Sequence, residues 1–220
     1  RIAESFIKQQ ESGDGYQVPD PVVVSKAFME LAQQLMADPQ KLAETQAKLW
    51  NNYAELWQTT AKRMSGEEAE AVVEPESGDR RFKDGAWNDQ VVFDFIKQSY
   101  LLTSDWMQQT VGDVEGLDPK TAEKVRFYTR QWVDALSPSN FVATNPVVLR
   151  KTAESGGENL LDGMENLLGD LEKGKGRLRI SMTDEDAFTL GENVATSPGK
   201  VVFENELMQL IQYAPTTKKV

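Results

Sequence analysis

The sequence predicts a mostly α-helical fold in which a sheet begins only near the C-terminal end. One observation is a repeated helix-start signal, a short polar residue followed directly by proline. The polar side chain can cap free backbone N–H groups, and proline fits the first helical position. The signal occurs at Asp20-Pro21, Asp38-Pro39, Asp118-Pro119, Ser137-Pro138 and Asn145-Pro146. Between these signals apolar residues recur every three or four positions, whereas after Gly174 they alternate with polar ones, as they do in strands.

The first two helices are expected at residues 21–37 and 39–64. The second is long and amphipathic, and it has an aromatic-rich face. Packing inside a helical bundle would explain such a face, and so would docking of a partner helix or an apolar surface. The residues of this candidate partner-binding face are Leu49, Tyr53, Leu56 and Trp57.

Residues 65–79 carry six acidic side chains and no basic one, together with glycine and proline. Low hydrophobicity and a single sign of charge are typical of a flexible linker. The chain is therefore divided into four parts. They are an amphipathic helical arm (1–64), an acidic linker (65–79), a helical domain (80–176) and a C-terminal part in which a sheet begins (177–220).

The helical domain is expected to contain four longer helices, the last two separated at Gly156-Gly157. Their apolar spacing places them at residues 91–110, 119–136, 146–152 and 159–171. The second and third are joined by the loop LSPSNFVATNP, which has two apolar residues in its middle. We expect these two residues, Phe141 and Val142, to be tucked into the protein.

The C-terminal part has three stretches with strand character. They are GRLRIS, beginning at Gly176, and residues 201–203 and 207–213. A short helix is expected between the first and the second. The acidic triplet Asp184, Glu185 and Asp186 lacks the spacing of a calcium loop, so we interpret it as the first turn of that helix.

Composition excludes several classes of function. The chain has no Cys and no His, so disulfides, thiol nucleophiles, His-based catalysis and a self-contained hydrolase triad are ruled out within it. Its net charge of -11 argues against binding nucleic acid. No apolar run approaches the roughly 18 residues of a membrane span. The residues give no catalytic, cofactor-binding or metal-binding set and imply no cofactor, which favours a helical interaction or scaffolding domain.

Several long stretches agree with one protein family in their order and spacing. They are FDFIKQSYLL, the run from GLDPKTAEKVRF to LEKGKG, and the run from ISMTDEDAF to QYAPTT. From about residue 80 to residue 220 the chain resembles the N-terminal region of polyhydroxyalkanoate synthases. It is most similar to class I, the single-subunit poly(3-hydroxybutyrate) type. Residues 1–64 match only in general character.

The resemblance implies an acyltransferase that polymerises 3-hydroxyacyl-CoA into storage polyester, with release of CoA, at a cytoplasmic granule. Residues 177–220 would be the first strands of an α/β-hydrolase-like catalytic domain that is otherwise missing. Its Cys, His and Asp would lie outside this chain and its substrate would bind there, so we expect this fragment to be inactive and name no catalytic residue. The helical part would serve homodimerisation of the full-length protein, granule attachment and contact with phasin-type granule proteins. The alternative is a stand-alone helical binding or scaffolding module of the granule surface.

Overall fold

The computed structural model describes residues 21–176 and 178–218, and seven α-helices dominate that part of the chain. The helices are α1 (Pro21–Ala37), α2 (Pro39–Met64), α3 (Ala86–Asp89), α4 (Val91–Gly112), α5 (Pro119–Ala135), α6 (Pro146–Glu154) and α7 (Glu158–Lys173). Short 3-10 helices lie at Pro138–Asn140 and Glu185–Ala187, and two strands, β1 (Gly199–Glu204) and β2 (Gln209–Tyr213), form an antiparallel pair. The expectation of a mostly helical protein with a small C-terminal sheet is confirmed.

Three of the five expected helix starts are confirmed in their capping chemistry. The expectation for Ser137-Pro138 is wrong, because Ser137 makes no side-chain cap and only a three-residue 3-10 helix follows it. Asp38 accepts a hydrogen bond from the backbone N–H of Lys41 at 3.0 Å and begins α2. Asp118 and Asn145 cap α5 and α6 in the same way, each accepting from two backbone N–H groups of the first turn. The helix ends lie within two residues of those expected from the sequence. Asp20 lies outside the described residues.

Two sequence expectations are wrong. GRLRIS forms no strand among its described residues, because the N–H of Ser181 is hydrogen-bonded to the side chain of Asp170, near the end of α7, rather than to a neighbouring strand. Phe141 and Val142 are 48% and 46% exposed rather than tucked in. Their loop folds on itself through polar side chains, and it is Ser137 that turns inward.

Helix α4 is the centre of the helical part, because α2, α3 and α5 all pack against it, while α1 packs on α5. One core cluster lies among α1, α4 and α5 and contains Ala27, Leu31, Val111 and Val125. A second cluster contains Phe82, Trp87 and Leu101, with the Phe82 and Trp87 rings edge to face at 5.0 Å. The helices expected as an arm therefore pack directly on the helices expected as a domain.

A buried polar network fixes the C-terminal end of α2 against α4. The carboxylate of Asp94 accepts hydrogen bonds from Arg63 at 2.6 Å and Gln98 at 2.7 Å, and it pairs with Lys97 at 2.9 Å. Asp94, Lys97 and Gln98 are all buried. A buried carboxylate needs such partners, because desolvation of an unpaired charge is very costly.

The acidic segment at residues 65–79 has no helix or strand, yet its middle lies against α4. The side-chain oxygen of Gln98 accepts from the N–H groups of Val72 and Val73 at 2.7 and 3.3 Å. Arg63 also donates to the carbonyl of Ala69 at 2.8 and 3.0 Å, and Val73 packs against the second core cluster. The domain boundaries drawn from the sequence at residues 64, 79 and 176 stay a prediction.

By its internal contacts the chain divides into two compact units, the first ending at Glu165 and the second beginning at Asn166. In the second unit, β1 and β2 pair in a hairpin whose register shifts between Val201 and Phe203. Every described side chain of this hairpin is exposed.

Candidate functional site

The four residues of the candidate partner-binding face on α2 lie in different surroundings. Leu56 has 0% exposure and belongs to the side of α2 that packs on α4. The hydroxyl of Tyr53 donates to the Ser99 carbonyl at 3.1 Å and lies 2.7 Å from the Thr103 hydroxyl. Because Ser99 and Thr103 belong to α4, Tyr53 joins the two helices rather than facing solvent.

The other two members of that face separate as well. Leu49 is half-buried and lines a groove of about 250 Å³ beside Val73 and Leu102, whereas Trp57 is 57% exposed. Three of the four residues therefore belong to the packing side of α2, and Trp57 alone is presented to solvent. The four residues follow one another at mixed helical spacings that extend over two sides of the helix. For this reason the sequence pattern predicted a single face.

A neighbouring row of exposed residues on α2 was not predicted from the sequence. Trp50 is 61% exposed and stands seven residues before Trp57, so both indoles lie on one side of the helix. We call this side the outer face of α2, and all of its members are exposed. They are Ala43, Ala47, Trp50, Ala54, Trp57, Ala61 and Met64. The Trp50–Trp57–Met64 spacing of seven was the signal that could have identified it.

The outer face carries no charge. Helical geometry places Lys48, Glu55 and Lys62 on a third side of the helix, away from the outer face. Lys48 and Glu55 line the groove beside α4. The outer face is also held in position from within, because the Trp50 ring lies 6.3 Å from that of the anchored Tyr53. An uncharged apolar row on a firmly packed helix is suited to binding an apolar partner.

A second apolar row runs along α7, where no side chain is buried. Its large residues recur at helical spacing and are all exposed. They are Leu160, Leu161, Met164, Leu167 and Leu168. A helix with one wide apolar face is stable when that face is covered, so α7 is a second candidate contact surface.

Several carboxyl groups of the helical part have shifted pKa values. Hydrogen bonds from the Arg81 guanidinium lower the pKa of Asp79, and Arg81 also bonds to the Tyr100 hydroxyl at 2.7 Å. Burial, with the nearby charge of Glu76, raises the pKa of Asp105 in the groove between α2 and α4. These shifts follow from local packing and do not converge on one pocket.

The described residues contain no cluster of acidic side chains arranged to hold a metal ion. Within the same part of the chain, none of the helices combines the length and the apolar character needed to cross a bilayer. The geometry shows a helical region with two exposed apolar faces and, later in the chain, a two-stranded antiparallel hairpin. That combination defines the class as a mostly helical region with a small C-terminal sheet.

Comparison with known proteins identifies the family. The model of the family described as Poly-beta-hydroxybutyrate polymerase (PhaC) N-terminus matches residues 78–220, and the chain belongs to this family. It is 48% identical over 197 residues to the poly(3-hydroxyalkanoate) polymerase of Methylorubrum extorquens, covering 90% of this chain and 33% of that protein.

Two further relatives agree. The chain is 38% identical over 223 residues to the poly(3-hydroxyalkanoate) polymerase subunit PhaC of Rhizobium meliloti, covering 100% of the chain and 36% of the relative. The Cupriavidus necator protein of the same description is 43% identical over 182 residues, covering 83% of the chain and 29% of the relative. The chain thus spans about a third of the length of these curated relatives. No solved structure matches it.

Proposed function

We propose that this chain is the N-terminal part of a class I polyhydroxyalkanoate synthase, which polymerises 3-hydroxyacyl-CoA into storage polyester and releases CoA. The family match carries this proposal, together with relatives that are named as polymerases and are about three times as long. On this basis we expect the catalytic region to correspond to the part of the relatives that this chain does not span.

The hairpin supports the same proposal. Val201, Val202 and Phe203 are consecutive and all exposed, and so are Leu210 and Ile211 opposite them. Consecutive apolar residues point to both faces of a strand, which is the pattern of a strand buried on both sides. An isolated two-stranded hairpin is at best marginally stable. We therefore infer that β1 and β2 are the first strands of a larger, α/β-hydrolase-like sheet.

The polymerisation chemistry needs groups that this chain does not have. In the family a Cys attacks the thioester, a His accepts the thiol proton, and backbone N–H groups hold the oxyanion. Because the chain has no Cys and no His, the catalytic centre of the whole synthase is expected outside it. The substrate 3-hydroxyacyl-CoA would bind there as well.

The role of this part is then contact. We infer that it serves dimerisation of the synthase, attachment to the cytoplasmic polyester granule and binding of phasin-type granule proteins. The outer face of α2 and the apolar row of α7 support this role, because large apolar areas on a monomer surface mark interaction sites. The alternative of a stand-alone granule-surface module rests on the same surfaces, without a catalytic region following them.

The test combines a binding and a turnover measurement on the 220-residue chain. Fluorescently labelled chain should co-sediment with amorphous poly(3-hydroxybutyrate) granules, and it should release no free thiol from 3-hydroxybutyryl-CoA. Release of CoA by the chain alone would overturn the location of the catalytic centre. If the chain binds neither bare granules nor phasin-coated granules, the attachment role is overturned.

A further inference from the structure

The outer face of α2 has a seven-residue repeat of large and small side chains. The large ones are Trp50, Trp57 and Met64, and an alanine stands three residues before each of them. Steps of three and four along one face are the spacing of the a and d positions of a coiled coil. From Ala47 to Met64 alanine occupies every a position and a large residue every d position, while the earlier d position holds Ala43. The whole row is exposed.

We propose that two copies of this chain associate through the outer faces of their α2 helices, with the two helices antiparallel. The inference rests on the proposed dimerisation and names its surface and geometry. In one antiparallel register, centred between Glu55 and Leu56, every large residue faces an alanine of the second copy. The facing pairs are Ala47 with Met64, Trp50 with Ala61, and Ala54 with Trp57.

Packing volume selects the antiparallel arrangement. A parallel pair in register sets Trp57 against Trp57 and Ala54 against Ala54, which crowds one layer and leaves a gap in the next. Both faults are destabilising, since crowding forces strained rotamers and a gap loses contacts. In the antiparallel pair the volumes alternate across the interface, and alanine lets the two helix axes approach closely enough for an indole to cover it.

Charge and shape favour a second copy over the polyester surface as the occupant. Each copy carries a net charge of -11, so self-association needs a face without charge, and the outer face of α2 is one. A flat polymer surface would be covered equally well by any apolar row and gains nothing from alternating small and large residues. That alternation is what a second helix requires.

The area available predicts a weak dimer. Trp50 and Trp57 are each about three fifths exposed. Since a tryptophan can bury up to about 250 Å², the two together could bury about 300 Å² per copy in an interface. A specific interface buries about 800 Å² per partner. The two indoles supply more than a third of this, and the remaining side chains along about 30 Å of helix must supply the rest. Association should therefore depend on protein concentration.

Cross-linking tests the geometry, because any introduced cysteine is the only thiol in the chain. In the proposed register, residue 54 of one copy lies about 5 Å along the axis from residue 54 of the other, whereas the two copies of residue 43 lie about 38 Å apart. Ala54→Cys should give a covalent dimer with a short bis-maleimide, and Ala43→Cys should not. Cross-linking of both variants would indicate a parallel pair, and cross-linking of neither would remove the interface. Either result overturns the proposal.

Sedimentation equilibrium of the 220-residue chain tests the energetics. Ala54→Glu places a charge opposite an indole while keeping a good helix former on an exposed position, and Trp57→Ala removes an indole. We expect each to weaken association at least roughly 30-fold, as truncation of a central interface tryptophan typically does. Glu55→Ala, one residue away on the charged side, is the matched control and should not weaken it. Added salt should strengthen the wild-type dimer, because it screens repulsion between two acidic copies.

The remaining outcomes are distinguishable from failure of the proposed function. A wild-type chain that stays monomeric at all concentrations overturns the antiparallel dimer, and granule co-sedimentation of the same sample then reports separately on attachment. If Trp57→Ala lowers granule binding without changing the sedimentation behaviour, the outer face binds polymer rather than a second copy, and the inference is wrong.

Discussion

Replacing Leu56 with alanine tests whether the structure divides α2 correctly into a packing side and an outer face. Leu56 is completely buried against α4, so its truncation removes apolar contacts and leaves a cavity. Leu→Ala changes at fully buried sites cost about 2.7–5.0 kcal/mol. We take about 3 kcal/mol, which corresponds to a fall in Tm of about 6–12 °C for a domain of this size.

The neighbouring residue provides the matched control. Trp57 follows Leu56 directly but is more than half exposed, so Trp57→Ala should lower the free energy of unfolding by less than about 1 kcal/mol. The measurement is urea unfolding followed by circular dichroism at 222 nm, at a protein concentration low enough to keep the chain monomeric. The order of the two effects is informative, because tryptophan is the larger side chain and would cost more if both were buried.

The reasoning is refuted if the two substitutions cost the same, or if Trp57→Ala costs more. Either result would mean that the candidate face read from the sequence, which includes both residues, lies on one side of the helix. A small effect of Leu56→Ala alone would mean that α2 is not packed on α4. A small effect of Leu56→Ala would also mean that α2 lacks the fixed orientation on which the antiparallel dimer depends.

Three more substitutions test other parts of the structure. Asp94→Ala leaves the buried Lys97 ammonium without its carboxylate and should cost about 3–5 kcal/mol in urea unfolding. Asn145→Ala removes the cap of α6 and should cost about 1 kcal/mol by the same measurement. Since Arg81 lowers the pKa of Asp79 below 3.8, their interaction stabilises the fold fully at neutral pH and is lost as the pH falls below about 4 through the lowered pKa. Arg81→Gln should therefore make unfolding free energy depend less on pH in that range.

The helices and their ends were predictable because their determinants are local in sequence. Asp38, Asp118 and Asn145 each bond to N–H groups only two or three residues away, and proline follows each of them. Such a signal acts in the same way wherever the helix packs. The family resemblance was also accessible from sequence, because it depends on the order of long motifs.

The division of α2 into two apolar sides was not predictable in this way. Leu56 and Trp57 are adjacent and both apolar, and only the position of α4 decides that one is buried and the other exposed. The same holds for Phe141 and Val142, which looked like core residues in a loop. In the structure, side-chain bonds within that loop turn Ser137 inward instead. Contacts between distant segments decide these cases, and the spacing of residues along one segment does not encode them.

The acidic segment shows how a polar sequence can still help to fix the position of a neighbouring helix. Its five glutamates are exposed and Asp79 pairs with Arg81. Val73 packs on the core, and Gln98 accepts hydrogen bonds from the N–H groups of Val72 and Val73. Gln98 donates in turn to Asp94, which accepts from Arg63 near the end of α2. One buried network therefore joins the segment, α4 and α2. Because α2 is held by this network at its end and by Tyr53 at its middle, its outer face has one orientation. Binding of a partner to this face would therefore cost little conformational entropy.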